Sequence, residues 1–267
     1  MMRRWNSPSI KAFTTWATEP SQLARENYSF TVGDLAQSAS NRLELESAAA
    51  IPIQWLTQVH GVALHLLHDQ SNIAVRPRAD AAFTQCTRIG LAILTADCMP
   101  IVIADQKGSA VAVAHAGWRG LAAGVIEATL DAFTARGFVG SQLQAFIAPC
   151  IGPKAFEVGA EVREEFLHFS TASERDQISH CFAPSPVQGR YLADLTRISL
   201  TRFARFGMHD VLGPSACTFS DPLRFYSHRY WSQHPDLATG QGRQATVAWL
   251  APVADGVSAA LSYQKYN

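Results

Sequence analysis

The sequence predicts an α/β (α+β) fold with mixed sheets, organised as a single compact domain over residues 1–267. Three observations lead to this class. Short apolar runs of strand length dominate residues 54–149, segments with helical periodicity are interspersed with them, and no internal repeat or low-complexity tract divides the chain. Apolar residues make up 48% of the chain and charged residues 16%, as is typical of a globular enzyme.

Strands are predicted where apolar residues form short runs, and helices where they recur every three or four positions. The predicted strands are IQWLTQVH (53–60), the alternating stretch after Gly61, IGLAILT (89–95), IVIAD (101–105), SAVAVAH (109–115), LQAFIAP (143–149) and QATVAWLAP (244–252). One helix is predicted over 119–136 with Gly137 as its C-terminal cap. Two more are predicted near 159–169 and 192–206, with the loop APSPVQGR (183–190) between them.

Charge and cysteine content exclude several classes of protein. The net charge is zero and the arginines are scattered, which argues against a nucleic-acid or membrane partner. No apolar run approaches the ~18 residues of a membrane-spanning helix, and none follows the N-terminal arginines as in a secretory signal. Five dispersed cysteines without a C-x-x-C pair fit a reducing compartment. We therefore expect a cytoplasmic protein that acts on a small molecule, with no obligate protein partner evident.

The runs at 101–105 and 109–115 predict a β-hairpin, connected at 105–108 with Gly108 at a positive φ. If Ala104 faces Ser109, then Cys98 and His115 are direct cross-strand neighbours. Opposed residues on one face have Cβ atoms ~4.5–5.5 Å apart. That separation lets both side chains bind one metal ion, or lets a thiolate meet an imidazole.

His60 is the third candidate ligand, because it ends another β-rich run and is followed by Gly61. His115 likewise ends a β-rich run and is followed by Ala116 and Gly117. Two histidines and one cysteine, His60, Cys98 and His115, form a three-ligand zinc set that leaves a fourth position for water or substrate. The same Cys98 and His115 serve a metal-free cysteine hydrolase equally well, with His60 as a polarising group. A non-catalytic metal-binding module is the third reading, disfavoured because structural zinc normally has four protein ligands.

Other polar and aromatic residues near these ligands are candidates for supporting roles. Arg119, at a predicted helix start, could bind an anion, and Trp118 could form a pocket wall or a helix-packing anchor. Asp80 and Asp97 are candidates for proton transfer or for orienting a ligand histidine. Cys150 is assigned either to the edge of the pocket or to the packed interior.

Several motifs resemble those of the YfiH family, also called laccase-domain or polyphenol-oxidase-like proteins, which includes a peptidoglycan editing factor. They are TQVHG (57–61), RADAAF (78–83), TADCMPI (95–101), HAGWRG (115–120), APCIGP (148–153), CTFSDPLRFYSHR (217–229) and GRQATVAWL (242–250). The resemblance covers nearly the whole chain and implies a compact layered α/β/β/α sandwich. It also implies a zinc ion held by His60, Cys98 and His115.

The activity that the resemblance implies is on purine nucleosides: phosphorolysis of adenosine, inosine and methylthioadenosine, and deamination of adenosine. The substrates would then be a purine nucleoside with phosphate or water. Other labels in the family imply laccase-type oxidation, a cysteine hydrolase or amidase, and removal of a wrong amino acid from a peptidoglycan precursor. Copper is disfavoured, because the nine histidines include no H-x-H pair. Met99, the available axial ligand, should point away from Cys98, since adjacent strand residues face opposite sides.

The chain departs from the family pattern near its N-terminus. Trp16 stands where the family has an arginine, and the glycine pair that follows it is missing. The next family segment is recovered as NYSFTVGD (27–34), from which Asn27 is carried over as a substrate-binding residue. If the lost arginine holds phosphate, phosphorolysis is weakened more than deamination or hydrolysis, which need only water. Arg119 is then the best remaining cation.

Overall fold

Two β-sheets packed face to face form the centre of the fold in the computed structural model, which describes residues 5–15, 17, 26–69, 71–214, 216–235 and 241–252. The four-stranded sheet has the order β1 (Ile10–Thr14), β13 (Gln244–Leu250), β5 (Gly90–Thr95) and β2 (Ile53–Gln54). The six-stranded sheet has the order β12 (Val211–Leu212), β8 (Leu143–Ile147), β6 (Met99–Asp105), β7 (Val111–Ala116), β4 (Ala81–Thr84) and β3 (Leu64–Leu67). A small third sheet contains β10 (Phe182–Pro184), β11 (Arg190–Ala193) and β9 (Glu157–Gly159).

Helices cover the outer faces of both large sheets. They are α1 (Leu35–Ala49), α2 (Trp118–Ala123), α3 (Val125–Thr134), α4 (Ala160–His168), α5 (Arg175–Ser179) and α6 (Leu195–Arg205). A seventh helix, α7 (His228–Gln233), has no buried residue, and a 3₁₀ turn lies at Gly140–Gln142. α1 packs Leu45 against the four-stranded sheet, and α2 to α6 pack on the six-stranded sheet. No helix in the described residues is long and apolar enough to cross a membrane.

Side-chain alternation along the strands divides the apolar residues between three layers of packing. In β1, Ala12 faces the interior between the sheets and Phe13 faces α1; in β13, Ala248 and Trp249 divide in the same way. β6 is buried along its whole length, because one face meets the other sheet and the opposite face meets the helices. The predicted fold class and the layered α/β/β/α order are confirmed. Three strand pairs, β2–β5, β3–β4 and β12–β8, are parallel and the remaining pairs antiparallel, so the sheets are mixed.

The predicted hairpin between β6 and β7 is present, but its register was wrong by two residues. Ala104 pairs with Val111, so His115 lies opposite Pro100 and not opposite Cys98. The loop is longer than predicted because the carboxylate of Asp105 accepts the backbone N–H groups of Lys107, Ser109 and Ala110. Gly108 has the predicted positive φ, at 77°.

Other predicted elements also differ from the structure. The loop predicted over 183–190 connects two strands, β10 and β11, and the helix predicted near 192–206 begins only after β11, at Leu195. The single helix over 119–136 is interrupted at Gly124, whose φ of 104° ends α2 and starts α3. The strand predicted over 53–60 stops at Gln54, and the rest is a loop in which His60 has a φ of 61°.

Candidate metal centre

The side chains of His60, Cys98 and His115 come together, with one ligand atom from each lying within 4.8 Å of the others. Cys98 Sγ is 3.9 Å from His60 Nε2, and the two imidazole rings meet edge to face at 4.8 Å between centroids. Zinc binds sulfur at about 2.3 Å and imidazole nitrogen at about 2.0–2.1 Å, so one ion could contact all three atoms. Among the described residues, His60, Cys98 and His115 form the one group of three or more His, Cys, Asp or Glu side chains close enough together to hold a metal ion.

Each candidate ligand is carried by a different structural element. Cys98 lies in the three-residue connection 96–98, where the chain leaves β5 in the four-stranded sheet and enters β6 in the six-stranded sheet. His115 is the second-last residue of β7 and is buried. His60 is exposed on its loop. The site therefore depends on tertiary structure, and no two of its ligands are local in sequence.

Asp80 connects the two histidines. It directly precedes β4, its carbonyl accepts the His115 N–H at 2.7 Å, and its Oδ1 accepts a hydrogen bond from His115 Nδ1 at 2.8 Å. The same carboxylate accepts the backbone N–H groups of Val59, His60 and Gly61 at 2.8–3.2 Å. Asp80 thus holds the His60 loop in its left-handed conformation and directs His115 Nε2 toward the site.

The sequence HAGWRG keeps side chains out of the places where the His60 loop approaches α2. A Cβ atom on Gly117 would lie 2.9 Å from His60 Cδ2 and 3.1 Å from Cys98 Sγ. On Gly120 it would lie 2.8 Å from the carbonyl oxygen of Gly61. Both glycines are therefore required for the three ligands to converge.

Cys98 and His115 influence each other's ionisation. Burial opposes the charged form of the Cys98 thiol, but the charge of His115 and hydrogen bonds from His115 and His60 outweigh it and lower the pKa of Cys98 to about 6. Burial also opposes protonation of His115, but the charge of Cys98 and the hydrogen bond to Asp80 raise the His115 pKa. Cys98 is therefore available as a thiolate at neutral pH, the form that binds metals and attacks electrophiles.

The three side chains open into a cavity of about 600 Å³, a size suited to a small organic ligand. Aromatic side chains of Phe30, Trp118 and Phe156 line it together with aliphatic residues. The described lining also contains four arginines, Arg76, Arg119, Arg229 and Arg243. The cavity thus combines apolar walls with an excess of positive charge.

Asp97 is the acidic residue in the described lining of this cavity, and its carboxylate is already engaged. Oδ1 accepts a hydrogen bond from the Thr218 hydroxyl, and Oδ2 accepts one from the backbone N–H of Arg229, both at 2.7 Å. Its φ of 86° places it at the sharp turn just before Cys98. Asp97 is positioned to shape this turn; its role in proton transfer stays a prediction.

Trp118 and Arg119 lie where the sequence placed them, at the start of α2 and on the cavity wall. Arg119 is exposed at the start of the six-residue helix α2, and its guanidinium lies over the Trp118 ring, 4.3 Å from the centroid. Anion binding by Arg119 stays a prediction.

Two predicted substrate-binding residues lie outside the described cavity lining. Cys150 is fully buried in the core beside Cys217, and burial raises its pKa, so it takes the second of its two predicted placements, the packed interior; a role in substrate binding stays a prediction. Asn27 is also buried, and its amide accepts the N–H groups of Ser29 and Arg243 and donates to the Val32 carbonyl. Asn27 therefore holds the loop that carries Phe30, and its role in substrate binding stays a prediction. Trp16 lies outside the described residues.

Sequence reasoning missed Arg243, Arg229 and Phe156, which come to the cavity from distant parts of the chain. Arg243 arrives through the pairing of β13 with β5, in which Gln244 lies opposite Thr95. The available signal was an arginine directly before a predicted core strand. It becomes informative only once the neighbour of that strand is known.

Residues 11–251 match the family described as multi-copper polyphenol oxidoreductase laccase. The chain belongs to this laccase family. Its relatives include purine nucleoside phosphorylase PA4543 of Pseudomonas aeruginosa, 41% identical over 210 residues that cover 79% of each chain. Purine nucleoside phosphorylase YfiH of Escherichia coli is 36% identical over 212 residues, again 79% of each chain. The resemblance to the YfiH family is confirmed.

Two solved structures are similar to this chain along most of its length. Protein NMB0706 of Neisseria meningitidis has a TM-score of 0.78 and 28% identity, covering 94% of this chain and 98% of its own. YlmD of Geobacillus stearothermophilus has a TM-score of 0.79 and 24% identity, covering 92% and 93%. The second similarity supports the fold alone.

Proposed function

We propose that this protein is a zinc-dependent purine nucleoside enzyme that cleaves adenosine, inosine and methylthioadenosine with phosphate and also deaminates adenosine. The observation that carries the proposal is the convergence of His60, Cys98 and His115 on a cavity of about 600 Å³ lined by aromatic rings and arginines. The names of the relatives in Pseudomonas aeruginosa and Escherichia coli support the substrate class.

The three donor side chains fit a metal ion. A thiolate with a lowered pKa and a histidine whose Nδ1 is bonded to Asp80 are the forms that coordinate zinc, and three protein ligands leave a position open. When bound, zinc would supply a Lewis acid and lower the pKa of a coordinated water. The family description names copper, but Met99 is buried with its sulfur 3.3 Å from the Ser199 hydroxyl and outside the cavity lining. Zinc is therefore the metal that we propose.

The remaining cavity residues suit the two reactions. In phosphorolysis a phosphate oxygen forms a bond to C1′ of the ribose while the C1′–N9 bond breaks, and the purine leaves with the electron pair and takes up a proton. The cavity arginines would neutralise the phosphate, and Trp118 and Phe156 offer apolar surface to the purine. The Phe30 ring already has the guanidinium groups of Arg42 and Arg76 over it. In deamination water replaces the amino group at C6 and ammonia is released.

The test combines metal analysis with turnover. Protein purified without added metal should contain about one zinc ion per chain, and Cys98→Ser should lose both the metal and the turnover of adenosine and inosine. Cys86→Ser is the matched control, because Cys86 is also partly exposed but lies outside the cavity. Ammonia release from adenosine without any phosphate-dependent product would remove phosphorolysis from the proposal.

A metal-free cysteine hydrolase is the second candidate, supported by the mutual stabilisation of the Cys98 thiolate and the charged His115. In that case the enzyme should keep full activity after exhaustive chelation and lose it on alkylation of Cys98. Loss of activity on chelation, with recovery on adding zinc, would exclude this candidate.

A further inference from the structure

We propose that Arg243 binds the anionic co-substrate, inorganic phosphate, beside the metal centre. The inference rests on the proposed function, because it names the residue that would bind the phosphate used in phosphorolysis. It assigns to Arg243 the role that the sequence left to Arg119.

The position of Arg243 follows from the strand register. Gln244 pairs with Thr95 in the antiparallel β13–β5 ladder, so Arg243 lies level with Ala96, two residues before Cys98. Burial lowers the pKa of Arg243, while the negative charges of Cys98 and Asp97 act in the opposite direction. Arg243 lines the same cavity as His60, Cys98 and His115 and is half-buried. A charge-assisted hydrogen bond is stronger in such a partly shielded position than at the surface.

The backbone of Arg243 is fixed, and part of its guanidinium is left for a ligand. Its N–H donates to Asn27 Oδ1 at 2.9 Å, and its carbonyl accepts the N–H of Tyr28 at 3.1 Å. Its Nη1 donates to the Gly242 carbonyl at 2.7 Å, the one side-chain hydrogen bond of Arg243 within the described part of the chain. Nε and Nη2 are then available to donate to two oxygens of one anion.

The other arginines of the described lining are placed differently. The guanidinium of Arg76 lies over the Phe30 ring at 3.8 Å, as that of Arg119 does over Trp118, and both arginines are exposed. Arg229 directs Nη1 toward the Ala155 carbonyl at 3.5 Å. These three side chains would contribute to the positive potential of the cavity, whereas Arg243 combines proximity to Cys98 with unengaged donors.

The kinetic test varies phosphate at a saturating concentration of inosine, using the metal-containing enzyme. Arg243→Gln should raise the KM for phosphate about 10- to 100-fold, the range expected when a hydrogen bond to a charged group is lost. The KM for inosine should change less than about threefold, and the ratio of phosphorolysis to adenosine deamination should fall. Arg243→Lys keeps the charge but not the forked donors, and should give an intermediate KM for phosphate.

Arg175→Gln is the matched control, since it removes the same charge from an exposed position on α5 outside the cavity. Metal content and the circular dichroism melting curve of each variant verify folding. A KM for phosphate that changes less than twofold in Arg243→Gln would overturn the inference. So would an equal loss of phosphorolysis and deamination, because that pattern indicates a purely structural role.

Calorimetric titration of inorganic phosphate into the metal-containing enzyme separates this inference from the proposed function. Wild-type protein should bind phosphate, and Arg243→Gln should bind it at least about tenfold more weakly. Binding that depends on Arg243 without any phosphorolysis would refute the proposed reaction and keep the anion site. Absence of phosphate binding to the wild-type protein would refute the anion site itself.

Discussion

Asp80→Asn should weaken metal binding and destabilise the fold together, because one carboxylate holds both histidines. Asp80 is fully buried, and its oxygens accept hydrogen bonds from His115 Nδ1 and three backbone N–H groups. Asparagine keeps the shape but replaces one acceptor oxygen by an amino group, which cannot accept and which faces an N–H donor. The Gly61 N–H, 2.8 Å from Oδ2, would lose its partner if that oxygen is the one replaced.

The expected loss of stability is about 3 kcal/mol, since a hydrogen bond to a charged group contributes about 1.5–3 kcal/mol and an unsatisfied buried donor adds a similar penalty. For a chain of this size that corresponds to a decrease in Tm of roughly 6–12 °C. Metal affinity should fall about 10- to 100-fold, the usual effect of removing the partner of a ligating histidine. Competition with a zinc-binding dye measures the affinity, and thermal unfolding of the metal-free protein measures the stability.

Asp105→Asn is the matched control. Asp105 is also buried, and its carboxylate also accepts several backbone N–H groups in a loop, but it lies outside the cavity. It should lose comparable stability and keep wild-type metal affinity. If Asp80→Asn binds zinc as tightly as Asp105→Asn does, then Asp80 does not orient the ligands and the reasoning is refuted.

Three further substitutions test other parts of the structure. Gly117→Ala places a methyl group 3.1 Å from Cys98 Sγ, so the amount of metal bound per chain should fall while the circular dichroism spectrum stays unchanged. A variant that binds as much metal per chain as the wild type would contradict this geometry. Arg202→Ala removes the buried cation that Glu127 and Glu174 share and leaves them only the partly exposed Arg205, so urea unfolding should show a loss of about 3 kcal/mol, the lower end of the range for a broken buried ion pair. Burial raises the pKa of Glu174, but hydrogen bonds from Thr171 and the charges of nearby arginines outweigh it and lower the pKa. The ionised carboxylate therefore stabilises the fold above the ordinary glutamate pKa of about 4.3, and this contribution disappears as the pH falls through the lowered pKa. In Glu174→Gln the free energy of unfolding should therefore decrease less steeply on acidification than in the wild type. An unchanged slope of unfolding free energy against pH would refute the assignment.

Strand and helix existence could be predicted from the sequence where one local signal dominates. β6 and β7 are apolar except for Asp105 and His115 and are joined by a loop with a glycine at positive φ, and the structure contains both. The register could not be predicted, because the Asp105 carboxylate extends the loop and the sequence does not show which N–H groups a side chain will accept. The same applies to Gly124, whose left-handed conformation breaks the predicted helix although its sequence periodicity continues.

The ligand set illustrates how a correct grouping can come from an incorrect contact. His115 was expected opposite Cys98, but it is hydrogen-bonded to Asp80, directly before β4, and Asp80 was assigned only a supporting role. Cys98 reaches His115 from the connection between the sheets instead. Pattern reasoning identified the residues because both lie where strands end, and it could not identify the elements that join them because those pair across long sequence separations.

The transition of the chain between the two sheets explains why the site forms at this corner. In residues 96–98 the backbone leaves the ladder of β5 and enters that of β6, and Asp97 takes a φ of 86° to make the turn. Peptide groups at such a turn lack ladder partners, so the Asp97 carbonyl accepts the Ile151 N–H and its carboxylate accepts Thr218 and Arg229. These bonds bring the segments carrying Ile151 and Arg229 to the cavity wall, while the β5–β13 pairing brings Arg243. The contacts that Asp97 makes at the turn, one through its carbonyl and two through its carboxylate, therefore help to assemble the cavity around Cys98.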